Sequence, residues 1–262
     1  MDNLSSLLEY LEQAPPPIPV TTLLTTPHGP SDNTPNDSHG DEDIHSIVPW
    51  SEFTLDRILQ EHEGFLAHTF LPSNPFPTSP PPIMSAKSQF MFRISEYLAP
   101  RVRRALRTTF NRLESTNLLN RHTPVSFDMG GSAKSRIDFA YYEVKKSTAN
   151  NGERLPGIVK PSWEWNSEWK TGSSDDQRKY HRCLSQLNWS MKQLRARYGV
   201  ILTNEELVAV QRLDNDGNLQ VSNSVAWETK ATAVHPRLTV LLALWYLGML
   251  ASENQEPNKW EI

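Results

Sequence analysis

The stretch "LPGIVKPSWEW", residues 155–165, decides how this chain is read. A short apolar run bounded by turn residues reads as a buried strand. Pro161 has no N–H for a ladder and closes it. Two further strands precede it, "PVSFDM" (124–129) and "SRIDFAYYEV" (135–144), separated by the turn "GGSAK". A helix follows over "SDDQRKYHRCLSQLNWSMKQLRARYG" (174–199), with acids at its start, basic residues toward its end and Gly199 just past its stop. "VILTN" and "ELVAVQRL" read as strands, and "DNDGN" turns the chain into another, "LQVSNSVAW". Pro236 opens a closing helix that is apolar on nearly every side and so must be buried against a sheet.

Upstream of the strands, "SAKSQFMFRISEYLAPRVRRALRTTFNRLES" (85–115) alternates apolar and basic residues at a helical period, with Pro100 as a kink or break. The order helix, three strands, helix, strands, helix predicts an α/β or α+β domain over residues 85–262, built on a central mixed sheet.

Residues 1–84 differ in texture. They hold 14 of the chain's 20 prolines, and "TTPHGPSDNTPNDSHGDED" lacks apolar periodicity. Such composition buries too little surface to offset chain entropy, so a largely disordered, proline-rich N-terminal region is expected. Two short helices interrupt it, "NLSSLLEYLEQ" and "SEFTLDRILQEHEGFLAH" (51–68), each a loosely packed tail helix or a segment through which protein partners dock.

With 262 residues and a net charge of -4, the chain does not announce a nucleic-acid binder globally. Its single cysteine, Cys183, excludes an internal disulfide framework and a cysteine-based zinc site, and reads as a small buried residue of a helix. The start lacks a basic-then-apolar leader. The longest apolar stretch, residues 238–251, falls short of the roughly 18–20 residues a membrane span needs. An intracellular protein, nuclear or cytoplasmic, with no membrane contact is expected.

Several motifs fail on spacing. In "DNDGNLQV", placing Gly217 at the sixth position of a calcium loop makes Arg212 the first ligand, so this is a hairpin turn. The histidines of "EHEGFLAH", His62 and His68, lack the i, i+4 spacing of a zinc helix and read as surface. Walker, dinucleotide and nucleophile-elbow patterns are missing from the sequence.

The basic helix says more. Between residues 93 and 112 stand six arginines (93, 101, 103, 104, 107, 112) against one acid, Glu96. That density marks either a solvated face or a local positive surface, centred on Arg103, Arg104 and Arg107, for nucleic-acid phosphates. Trp163, Trp165, Trp169 and Trp189 serve core packing or, alternatively, base stacking.

Asp138 in "RIDFAYY", Lys160 in "GIVKPSW" and Gln186 in "SQLNWSMKQ" carry a resemblance. Over roughly residues 85–254 the chain resembles the fungal PD-(D/E)XK nuclease-like domain family. The resemblance implies a restriction-endonuclease-like fold, Mg²⁺ as cofactor and DNA as partner, with phosphodiester hydrolysis as the activity. An aspartate on one strand, and an acid two residues before a lysine on the next, hold the metal in that family. Strand alternation turns residues i and i+2 into one cleft. The carboxylates supply hard oxygen ligands, and the metal lowers the pKa of an attacking water that the lysine orients.

Matched residue by residue, Asp138 corresponds to the first acid, although Ile137 replaces the family's proline. Lys160 corresponds to the lysine and Gln186 to a helix glutamine. Glu96 is a candidate for a further metal-binding acid on the first helix. The second acid has no match, because its position holds Ile158. Glu164 lies at even spacing from Lys160 and would share its face on an unbroken strand, and Asp128 lies on the preceding strand. Pro161 and Trp163 stand against such continuity, so the sequence favours a degenerate site. Competing readings make Asp138 and Lys160 a plain ion pair between neighbouring strands, or keep the fold as a non-catalytic module that binds nucleic acid through the arginine helix or serves protein interaction.

Overall fold

The computed structural model describes residues 4–20, 44–79, 81–130, 137–146, 152–232 and 235–262. Its elements are β1 (Leu4–Ser6), α1 (Leu7–Leu11), β2 (Ser46–Pro49), α2 (Leu55–His68), β3 (Phe70–Pro72) and α3 (Lys87–Arg93). A π-helical turn, Ile94–Leu98, joins α3 to α4 (Ala99–Ser115). Then come β4 (Val125–Met129), β5 (Phe139–Glu143), β6 (Glu153–Val159), α5 (Ser174–Leu194), β7 (Tyr198–Leu202), β8 (Glu206–Arg212), β9 (Asn218–Val221), β10 (Val225–Ala226) and α6 (Val240–Ser252).

The large sheet is mixed, in the order β2-β9-β8-β7-β6-β5-β4, with β10 also on β8. β4, β5 and β6 form an antiparallel meander. The chain then crosses through α5 to lay β7 parallel to β6, the connection a parallel pair requires. Helices flank both faces. On one, Ile158, Ile201, Val208 and Val210 pack against Tyr180, Leu184, Leu187 and Met191 of α5. On the other, α4 and α6 cover Phe127, Phe139, Tyr141 and Val200. This is the helix-flanked mixed α/β sheet that the element order predicts.

α6 is buried along its whole length, as its unbroken apolar sequence requires. It starts at Val240, capped by Thr239, rather than at Pro236. Gly248 allows the close approach: a Cβ there would stand 2.7 Å from Leu106 of α4 and 3.0 Å from Tyr141 of β5. Pro100 does not break its helix. The preceding turn widens, so that the Ala99 N–H donates to the Ile94 carbonyl, and the missing proline N–H is absorbed there. At the end of α5, Arg195 itself takes the left-handed conformation (φ 54°), four residues before Gly199. "DNDGN" is the expected turn, with Gly217 at φ 88°.

The disorder expected across residues 1–84 does not extend to 4–20 and 44–79. Leu7, Tyr10 and Leu11 of α1 and Ile58 and Leu66 of α2 belong to the same apolar cluster as α4 and α6. Pro16 O accepts the Trp227 indole N–H at 2.9 Å, and Leu11 O accepts the Thr239 hydroxyl at 2.5 Å. β2 adds a parallel edge strand to β9, and Trp50 beyond it stacks on Tyr198 with centroids 5.8 Å apart. Prolines already have fixed φ, so their segments lose less entropy on ordering, and a few large anchors suffice. The apolar faces of both N-terminal helices are thereby used within the domain. Residues 21–43, the polar heart of the expected disorder, lie outside the described residues.

His62 is not a surface residue. Its ring stands edge-on to Trp245 and Tyr246, at 5.3 and 5.7 Å. Burial pushes its pKa from 6.5 down to about 4, and His122 adds to the effect. Glu61, 3.9 Å away, is taken by Arg57 (2.7 Å) and by the Tyr246 hydroxyl (3.0 Å). The folded state therefore prefers the neutral ring. As pH falls from 6.5 toward about 4 the unfolded chain takes up the proton first, and stability declines. The loss reaches about 3 kcal/mol at the acid end. Urea unfolding across this range should show that decline in the parent and a flatter profile in His62→Gln; equal slopes would contradict it.

Candidate functional site

β5 and β6 pair with Phe139 opposite Gly157. One step before, Asp138 donates its N–H to the Gly157 carbonyl at 2.9 Å and accepts the Gly130 N–H at 2.7 Å. Gly157 is required at this point. A Cβ there would lie 2.2 Å from the Phe139 ring, which packs on Phe127 with centroids 5.0 Å apart. Phe139 and Tyr141 point toward α6, whereas Ala140 and Tyr142 pack with Leu194 of α5. Alternation thus puts Asp138 on the α5 face, opposite Ile158.

The Asp138 carboxylate is paired at both oxygens. Lys87 Nζ, at the first residue of α3, stands 2.8 Å from Oδ1 and 2.9 Å from Oδ2. The Val159 N–H donates to Oδ2 at 2.7 Å. The Asp138 side chain is 18% exposed and that of Lys87 36%. The partner of Asp138 is therefore Lys87, not Lys160.

Lys160 extends the β6–β7 ladder by one bond, its N–H donating to Leu202 O at 3.1 Å, and is half-buried. The strand stops there. Pro161 O accepts the N–H groups of Glu164 (2.8 Å) and Trp165 (3.2 Å), folding the chain into a turn. Glu164 is an exposed turn residue, so its even spacing from Lys160 does not place it on a shared strand face. Trp165 is fully buried and stacked on Tyr180, 5.8 Å between centroids, which removes it from base stacking. Trp169 lies beneath Lys179 at 5.1 Å.

Ile158 is completely buried and packs in the cluster with Tyr180, Cys183 and Leu184. Burial raises the Cys183 thiol to about 12, while Lys160 and Lys87 pull it down and Asp138 and Glu164 push it up. The buried thiol stays protonated and unreactive near neutral pH. Gln186 lies half-buried on α5, one turn beyond Cys183.

Other expected site residues are elsewhere. Glu96, in the π-helical turn nine residues beyond Lys87, pairs with Arg93 rather than reaching Asp138. Asp128, the exposed residue of β4, accepts from Arg103 at 3.0 Å and from the N–H of its neighbour Met129 at 2.8 Å. Among the described residues no three His, Cys, Asp or Glu side chains are grouped to hold a metal ion. The residues present do not fit the Mg²⁺ centre implied by the resemblance: one carboxylate is occupied by an ammonium, and the second is replaced by an isoleucine in apolar packing.

The arginine helix divides in two. Arg101 is buried: it donates to the carbonyls of Tyr97, Asn74 and Pro75 and lies over Phe76 at 3.7 Å. It fastens residues 74–76 and contributes nothing to an outer charge. Arg103 and Arg107 are exposed and Arg104 is half-buried, on the side of α4 opposite Val102, Leu106 and Phe110. Arg104 and Arg107 make no ion pair among the described residues.

Lys87 is the site residue that sequence reasoning missed. It lies 51 residues before its partner, and a lysine near a helix start carries no signal of a contact that distant. No protein-family model matches the chain, nor does any curated protein or solved structure. No helix among the described residues is long and apolar enough to cross a membrane.

Proposed function

We propose that this chain is a nucleic-acid-binding domain of the PD-(D/E)XK nuclease-like type, with a restriction-endonuclease-like core whose hydrolytic centre is dismantled. Support for the type comes from the order α4, β4, β5, β6, α5, β7, and from Asp138 and Lys160 at neighbouring strand ends. One observation carries the loss of hydrolysis. The position facing Asp138, where the second acid is needed, is Ile158, buried against α5. A metal-bound hydroxide needs a cation held by several oxygens, and that side chain offers none.

The binding surface is the exposed side of α4, with Arg103, Arg104 and Arg107 directed at phosphates and DNA as the favoured partner. Fluorescence anisotropy of a labelled duplex, titrated with the protein over a salt series, tests this. Affinity should fall linearly in log–log form as salt rises; binding insensitive to salt contradicts the proposal.

A second reading, a working Mg²⁺-dependent phosphodiesterase, has one observation in its favour. Asp138, just before β5, and Lys160, just after β6, stand at the same end of that antiparallel pair. It requires cleavage that is lost in Asp138→Asn, Lys160→Ala and Glu164→Gln alike.

A further inference from the structure

We infer that Lys87 is a tethered cation seated at Asp138 in the place a divalent metal would take, so that this domain engages its ligand without metal. The inference rests on the proposed type only for what Asp138 corresponds to; the geometry is independent of it. One ammonium bridges both carboxylate oxygens, at 2.8 and 2.9 Å, and the Val159 N–H takes a third bond to the same group. An ion pair needs only one of those oxygens. Bridging both places a positive charge across the edge where a bidentate cation would sit, and charge-assisted bonds of this length are the strong ones.

The surroundings fit the assignment. Lys87 comes from the start of the long helical segment 87–115 and reaches across to the residue just before β5, joining two elements far apart in sequence. Lys160 adds a second positive charge near the Cys183 thiol. With Ile158 opposite, Asp138 would otherwise be a partly buried carboxylate satisfied by one backbone N–H, an expensive arrangement. Lys87 supplies the compensating charge from within the chain.

The test uses thermal unfolding of the full chain with millimolar MnCl₂, against NaCl of matched ionic strength. The parent should give the same Tm in both. Lys87→Glu faces Asp138 with a second carboxylate, and that repulsion is relieved by a divalent ion. Its Tm should rise by about 4 °C or more in Mn²⁺, and adding Asp138→Asn should abolish the rise. Should Lys87→Glu fail to fold, Lys87→Gln, which vacates the cation's place, should show a smaller rise of the same dependence. A Mn²⁺ response of the parent that Asp138→Asn removes would overturn the inference, as would variants without any response. At matched ionic strength, duplex binding by the parent should persist in EDTA and gain nothing from Mg²⁺. Loss of duplex binding in both would count against the proposed function alone, whereas binding that requires Mg²⁺ would count against the tethered cation.

Discussion

Ile158→Asp should lower the stability of the domain by about 4 kcal/mol at pH 7. The isoleucine is wholly removed from water, between β6 and the Tyr180–Leu184 face of α5. Losing that apolar burial costs about 2–3 kcal/mol. Burying a carboxylate in the same space adds more, partly offset by Lys160 two residues on. Its folded-state pKa must rise above the ordinary value of about 3.9. Between those two pKa values the folded form binds more protons, so the variant loses stability as pH rises. Urea unfolding near pH 4 and pH 7 should therefore show a smaller defect at the acid end. Ile158→Leu, a volume-conserving change, should cost less than about 1.5 kcal/mol. A defect under about 1 kcal/mol for the aspartate at pH 7 would mean that the position tolerates an acid, and the account of Ile158 would fall.

The second large effect is on binding. Changing Arg103, Arg104 and Arg107 together to alanine should weaken duplex binding on the order of 10²-fold at low salt, across all sequences. The slope of log affinity against log salt should fall by about 2.7 if all three meet phosphates, at roughly 0.9 per contact. Folding stability should barely move. The three side chains point away from the core, and the one ion pair lost, Arg103 to Asp128, lies between exposed groups, a class worth less than about 1 kcal/mol. Arg101→Ala is the internal contrast. It removes three carbonyl partners and the stacking on Phe76, so it should lower stability and leave the salt slope alone. An unchanged slope in the triple variant would move the binding surface away from α4.

Local pattern made much of this fold legible. The apolar and aromatic run in "DFAYYE" and the apolar run before Lys160 form β5 and β6, and the all-round apolar sequence of α6 is buried as its composition demands. That Ile158 stands two residues before Lys160, where the resemblance implies an acid, was readable from the sequence. What was not readable depends on distance along the chain. Lys87 meets Asp138 across 51 residues, and no periodicity reports that meeting. The N-terminal segments were misjudged because composition averages over their prolines and hides sparse anchors such as Leu7, Tyr10 and Trp50. Arg101 looked like its neighbours in sequence; only the carbonyls of residues 74 and 75 distinguish it. His62 was assigned to the surface for a related reason, since its neighbours on α6 lie more than 180 residues later.

The most direct test of a domain that holds nucleic acid without cutting it is a single gel experiment. Supercoiled plasmid is incubated with the purified full chain and MnCl₂, then run on a native gel before and after removal of the protein. The account predicts retarded plasmid before removal and intact supercoiled plasmid afterwards. Nicked or linear plasmid that disappears in Asp138→Asn and Lys160→Ala would contradict it.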